Sequence, residues 1–344
     1  MAAALASPSA EEVDGVLAVL QSADNVARRQ AEAQLDAWSQ SPGFLAVLMQ
    51  RAHRAPAPPS RQLAATLLAW RIPKFWPGLC APDQEAAQAS LLECFSACGE
   101  PPVLRALGEA CNALCQSMAI HRDTLWEDLL RLVAGLLAGE SAAHRRAALE
   151  LLAALVESIG GPDGTAPGLR SSERDQLLSQ AQFQESRTLD LLEWIAHSLA
   201  LHARDADAEV RVAALSAIGT ASASWCFGAA RADLHHWQCA ADAALEAATQ
   251  ALAGPSGDGG GARALAAALR ALCSLAPALG SQALSTACAQ LAARVLGDSA
   301  GGARCAEDCR VQALQLLRAL ARRRDRSLLA DQALVAVVPA VALA

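Results

Sequence analysis

Arg28-Arg29-Gln30-Ala31-Glu32-Ala33-Gln34-Leu35, then Ser41-Pro42-Gly43-Phe44-Leu45, then Arg61-Gln62-Leu63-Ala64-Ala65-Thr66-Leu67-Leu68-Ala69-Trp70-Arg71-Ile72 closing on Phe75-Trp76, is the passage that decides the fold. Its outer blocks carry apolar and small residues at helical spacing, and each starts beside an arginine. Pro42-Gly43 breaks the chain between them. Two amphipathic helices joined by a short break make a hairpin that buries its apolar face only against another hairpin, so the passage reads as the unit of a helical solenoid.

Working outward, the phrase "Arg, two residues, Ala" recurs at Arg61 with Ala64, Arg145 with Ala148, Arg211 with Ala214, Arg263 with Ala266 and Arg310 with Ala313. Arg28 with Ala31 and Arg105 with Ala110 are looser copies. Arg61 and Arg105 are 44 residues apart, Arg105 and Arg145 are 40, and Arg263 and Arg310 are 47, near the period of HEAT and armadillo repeats. The sharpest copy, Asp207-Ala208-Glu209-Val210-Arg211-Val212-Ala213-Ala214-Leu215-Ser216-Ala217-Ile218-Gly219, resembles the second helix of a HEAT repeat. Its acidic residues suit a helix start, and Arg211 is expected to pair back toward the acidic residue before it.

Composition agrees. The 344 residues are 53% hydrophobic and 18% charged, against a usual charged fraction of about 25%, which leaves ample material for a continuous core. Aromatics are 3% with no tyrosine, and the filling is alanine and leucine, the best helix formers. The expected fold class is an all-α, right-handed solenoid of HEAT-type antiparallel helix pairs. Seven pairs are predicted: 11–20 with 25–39, 42–54 with 60–74, 83–98 with 101–120, 123–138 with 141–159, 188–202 with 207–226, 230–252 with 260–277, and 281–296 with 303–323. Breaks are expected near 55–59, 160–171 and 254–261, where proline and glycine cluster. A short inserted helix is expected over 173–184, and an orphan apolar helix from about Arg326 to the end. That last segment lacks a polar outer face, so a longer stack, truncated here, is expected. Residues 1–80 read as the first two repeats and 81–344 as further repeats.

A net charge of −7 argues against a nucleic-acid backbone as direct ligand and suits basic protein partners. No run of about 18 apolar residues predicts membrane insertion, and no basic n-region precedes the first helix. The eleven cysteines read as reduced core thiols in a cytosolic or nuclear chain, without disulfides. Cys94/Cys98, Cys111/Cys115 and Cys305/Cys309 sit four apart, but core packing outweighs a metal site without a second pair of fixed geometry. His235-His236 has no fixed carboxylate partner, and Gly257 to Gly261 lacks the ending of a phosphate loop. Arg322-Arg323-Arg324-Asp325-Arg326 reads as a solvated helix end, and the seven tryptophans as hairpin-core residues at helix ends. No catalytic, cofactor or metal residues are assigned, and an enzyme is not expected.

The opening passage resembles the N-terminal domain of the importin-β (karyopherin-β) family: Ala31-Glu32 with Leu35, Pro42-Gly43-Phe44, Arg61 with Ala64-Ala65, and Ile72 with Trp76 follow its order and spacing. Later stretches, including Trp126-Glu127-Asp128-Leu129-Leu130 and Arg145-Arg146-Ala147-Ala148-Leu149-Glu150, look similar to the importin-4/importin-5 branch. Where many members carry Lys-Asn this chain has Ala69-Trp70, and Pro73 should end or kink its helix before Trp76. The resemblance implies a monomeric nuclear transport receptor in the cytoplasm, nucleus and nuclear pore. Its partners would be Ran-GTP, phenylalanine-glycine nucleoporins and basic protein cargo, with no cofactor. Arg28, Glu32, Gln62 and Arg71, on second helices, become the Ran-binding candidates by position. The alternative is a non-transport HEAT-repeat scaffold or adaptor.

Overall fold

The computed structural model describes residues 8–38, 41, 43–122, 126–160, 185–226, 237–253, 259–279, 281–297 and 307–322. Among them fourteen α-helices pair in chain order, and none of these residues is in a strand. The first four pairs are α1 (Ala10–Leu20) with α2 (Asn25–Trp38), α3 (Gly43–Arg54) with α4 (Pro58–Phe75), α5 (Ala81–Ala97) with α6 (Pro101–Arg122), and α7 (Glu127–Leu137) with α8 (Ala142–Gly160). Three more follow: α9 (Glu185–His202) with α10 (Ala208–Cys226), α11 (Gln238–Ala253) with α12 (Gly259–Leu275), and α13 (Gln282–Gly297) with α14 (Glu307–Arg322). The chain divides into two compact units, Met1–Leu155 and Val156–Ala344.

Each unit is two layers deep. In the first, α1, α3, α5 and α7 pack in sequence as one layer, and α4 packs closely on α6 in the other. In the second, α9, α11 and α13 form one layer, and α10, α12 and α14 the other. This is the HEAT-type α-solenoid arrangement, in which each pair covers its neighbour's apolar face.

The recurrent arginine has a structural reason. Arg61, Arg145 and Arg211 are each the fourth residue of a second helix, and each reaches back to the turn from the first. Arg61 Nη1 donates to the Ala55 carbonyl at 3.2 Å. Arg145 Nη1 donates to the carbonyls of Gly139 and Glu140 at 2.9 and 2.8 Å. Arg211 Nη1 donates to those of Asp205 and Ala206 at 2.7 and 2.9 Å. Arg211 thus satisfies backbone acceptors rather than the acidic side chain expected from its position. The carboxylates are otherwise engaged, since Asp207 Oδ1 accepts from the Glu209 and Val210 amides and caps α10. The alanine three residues on (Ala64, Ala148, Ala214, Ala266, Ala313) is buried in every copy.

Proline placement shifts several boundaries. Pro58 and Pro59 open α4 instead of belonging to the break at 55–59, because the first turn of a helix has no use for their missing N–H groups. Pro82 does the same in the first turn of α5. α4 passes through Pro73 and ends at Phe75, giving way to a 3-10 turn over Trp76–Gly78. Gly259 to Gly261, expected in a loop, form the first turn of α12. The insertion at 173–184 and the orphan C-terminal helix fall outside the described residues.

The core is built from small groups. Every buried residue of α11 is an alanine, and Gly219 of α10 faces the α12 backbone so closely that a Cβ there would sit 3.6 Å from Ala271 Cα. Helices approach this way when nothing larger stands between them. Cys94, Cys111, Cys288 and Cys309 are buried as small apolar side chains. Burial raises the Cys94 thiol to about 11 and those of Cys115, Cys273 and Cys288 to about 12. Trp70 departs from the core role expected of the tryptophans: it is 72% exposed, while Trp76 is 1%. Counting by 3.6 residues per turn places Trp70 on the side of α4 away from Ala64, Leu68 and Ile72.

Three outcomes follow from this packing. Arg145→Met should lower unfolding free energy by about 1 kcal/mol, the net value of a hydrogen bond, while Arg131→Met on an exposed face should change it by less than about 0.5 kcal/mol. Gly219→Ala should hold or raise stability by up to about 1 kcal/mol and Gly219→Leu should lower it by about 1–3 kcal/mol; urea midpoints rank both series. Raised thiol pKa values stabilise the fold below the unfolded-chain value of about 8.5, and that contribution is lost as pH rises from there toward the folded values. With no tyrosine and Lys74 the only lysine, the urea midpoint should fall between about pH 8.5 and pH 11, and serine at Cys115, Cys273 and Cys288 should flatten the decline.

Candidate functional site

The four residues singled out on second helices all lie in the first unit, on α2 and α4. α2 buries Ala31 and Leu35, and Arg28, Glu32 and Asp36, spaced by four, form an exposed row along the flank of that face. On α4 the exposed row is Gln62, Thr66 and Trp70, again spaced by four, with Thr66 partly covered. Arg71 joins the rows: its Nη2 lies 3.2 Å from Asp36 Oδ1. The Arg71 side chain is 20% exposed and that of Asp36 77%, so the pair fixes geometry more than it stabilises.

Of the other candidates, Arg28 donates to the Asn25 side chain at the start of α2. The Gln62 carbonyl accepts from the Thr66 hydroxyl at 3.1 Å, leaving the Gln62 side chain on the surface. Glu32 is exposed one turn beyond Arg28. The structure therefore brings Arg71 to α2, and places Arg28, Glu32 and Gln62 on the exposed sides of their helices without joining them directly. It adds two residues that the sequence reading did not select. Asp36 had a signal, the i, i+4, i+8 row from Arg28. Trp70 had one in its wheel position, overridden by the general preference of tryptophan for burial.

The face is supported from behind by ion pairs between successive pairs. Arg51 holds Asp14 through two bonds of 2.8 and 2.6 Å, joining α3 to α1 with the arginine side chain only 11% exposed. Arg61 pairs with Glu100 ahead of α6. Glu150 on α8 receives Arg105 from α6 at 3.4 Å and Arg146 from its own helix at 2.9 Å. Trp76, buried at the foot of α4, accepts at its carbonyl from the buried Gln84 amide at 2.9 Å, which locks α5 against the end of α4.

A second feature lies in the second unit, on the first-helix layer. A groove of about 190 Å³ between α11 and α13 is lined by Leu245, Thr249, Ala287, Gln290, Leu291 and Arg294. Leu245, Ala287 and Leu291 give it apolar surface, and Thr249, Gln290 and Arg294 supply polar groups. Among the described residues no group of three His, Cys, Asp or Glu side chains could hold a metal ion, and no helix is long and apolar enough to cross a membrane.

Residues 31–94, from the middle of α2 to the last turn of α5, match the importin-beta N-terminal domain. The match contains Glu32, Gln62, Trp70 and Arg71, and begins three residues after Arg28. No curated protein sequence matches the chain. Among solved structures, Kap121p superposes with a TM-score of 0.64 at 18% identity, over 91% of this chain and 27% of that one. Kap121p bound to Nup53p gives 0.64 at 18% over 92% and 27%, and Kap121p bound to the extreme C-terminus of the protein phosphatase Cdc14p gives 0.65 at 17% over 93% and 27%. The chain thus spans about a quarter of the Kap121p length, and the likeness is one of fold. Residues 31–94, over α2 to α5, are thus similar to the importin-beta N-terminal domain, and the HEAT-type stack as a whole shares the fold of Kap121p.

Proposed function

We propose that these repeats bind Ran-GTP through the exposed rows of α2 and α4 and carry protein cargo through the nuclear pore, moving between cytoplasm and nucleus. The observation that carries this reading is the position of the importin-beta N-terminal domain, whose residues 31–94 hold most of that face. Arg28, Glu32, Gln62 and Arg71 are the proposed contacts. Ran-GTP and cargo oppose each other on this reading as two ligands of one protein whose binding free energies are coupled, with no chemical step by the chain. Cargo of basic character suits the net charge of −7.

Nucleoporin contact is assigned to the α11–α13 groove, which offers apolar walls from Leu245, Ala287 and Leu291 to a phenylalanine side chain. Support in kind comes from Kap121p, which has been crystallised with Nup53p and with the SUMO protease Ulp1p.

Immobilised chain should retain Ran loaded with GTP in preference to the GDP form. Arg28→Glu with Arg71→Glu should slow association several-fold, as charges at an interface rim act mainly on the on-rate; equal retention of the two nucleotide forms would overturn the reading. Leu245→Asp, at a half-exposed position, should weaken retention on phenylalanine-glycine repeats about tenfold or more with little change in melting temperature; unchanged retention would remove the groove from the assignment.

A further inference from the structure

Trp70 is the largest apolar side chain that the described surface leaves open, and its setting distinguishes it from a scattered exposed residue. It is 72% exposed in the middle of a helix rather than at a frayed end. The polar groups around it are already occupied. Arg71, next in sequence, is held by Asp36, and the Thr66 hydroxyl, one turn back, is turned onto the Gln62 carbonyl. A partner meeting this face would gain little by replacing those bonds, whereas desolvating an indole is favourable and loses few rotamers.

The charge of the same two helices is unlike that of the chain. Leaving aside Arg61, which pairs with Glu100 at the far end of α4, the two helices carry Arg28, Arg29, Arg71 and Lys74 against Glu32 and Asp36, a positive balance in a protein of −7. Lys74 lies one turn beyond Trp70 and extends over the Phe75 ring, 5.5 Å from its centroid. A tryptophan standing in a locally cationic field is complementary to an apolar recess edged by carboxylates.

We propose that Trp70 is the anchor of the α2–α4 face, inserting into an apolar recess bordered by acidic residues on the partner. The partner is the GTP form of Ran, so the assignment rests on the reading above. Most of the binding energy at the face then comes from one buried indole, and the flanking cations set the rate and salt dependence of encounter.

Titration of the full chain with Ran carrying a non-hydrolysable GTP analogue tests this, using wild type, Trp70→Ala and Trp70→Phe. Trp70→Ala should weaken binding about 30-fold or more, mainly through faster dissociation, and Trp70→Phe by only a few-fold. Since Trp70 covers no core, thermal unfolding of both variants should match wild type. Raising salt should weaken wild type and Trp70→Ala alike and leave their ratio unchanged. Lys74, the only lysine, gives a readout that needs no substitution: bound Ran should shield it from amine acylation, read on the Lys74 peptide by mass spectrometry. Wild-type binding with Trp70→Ala within twofold of it, or with Lys74 acylated at an undiminished rate, would overturn the anchor while leaving the receptor reading standing. Failure of wild type itself to bind the GTP form would overturn both.

Discussion

The guanidinium that reaches back from the second helix to the turn before it is the constraint that three of the hairpins share. A helical hairpin must bend the chain back on itself while leaving the last carbonyls of one helix and the first amides of the next without helical partners. Arg61, Arg145 and Arg211 supply the donors for the carbonyl end, and Asp207 supplies an acceptor for the amide end. Because the arginine sits at the fourth position of its helix each time, the bond also fixes how far the second helix slides along the first. That sets which residues face the neighbouring pair, and the alanine three positions later falls in the core as a consequence.

This explains why so much of the fold was readable from the chain. In three pairs the arginine recurs because one geometric requirement recurs, and the buried alanine three residues on recurs in five, which makes the repeat visible in the chain. Boundaries were less readable where proline was concerned. The same residue that stops a helix opens the next one, and only the fate of the neighbouring amides tells the two apart, as Pro58-Pro59 and Pro82 show. Arg211 was assigned the wrong acceptor for a related reason: sequence displays side chains, and its real partners are backbone carbonyls.

The candidate face was legible in outline and not in detail. Arg28, Glu32 and Asp36 fall into a row by spacing alone, but the bond from Arg71 to Asp36 requires knowing that the Arg71 side chain reaches α2. Trp70 shows the opposite limit. Its residue type predicts burial and its register predicts exposure, and register won because the core side of α4 is fully occupied by Ala64, Leu68 and Ile72.

The alanine lining of α11 has a thermodynamic side. A leucine or methionine brought into an interface gives up rotamer freedom, whereas alanine has none to give up. Contacts made by Ala240, Ala244 and Ala248 therefore add little apolar area each but are assembled without side-chain ordering. An interface of this kind stays nearly level in free energy when its helices shift slightly, since no side chain has to change rotamer to follow. Layers that also bury larger side chains, such as Leu68 and Ile72 of α4 and Leu104, Leu107 and Leu114 of α6, resist the same shift by having interlocked shapes to disengage.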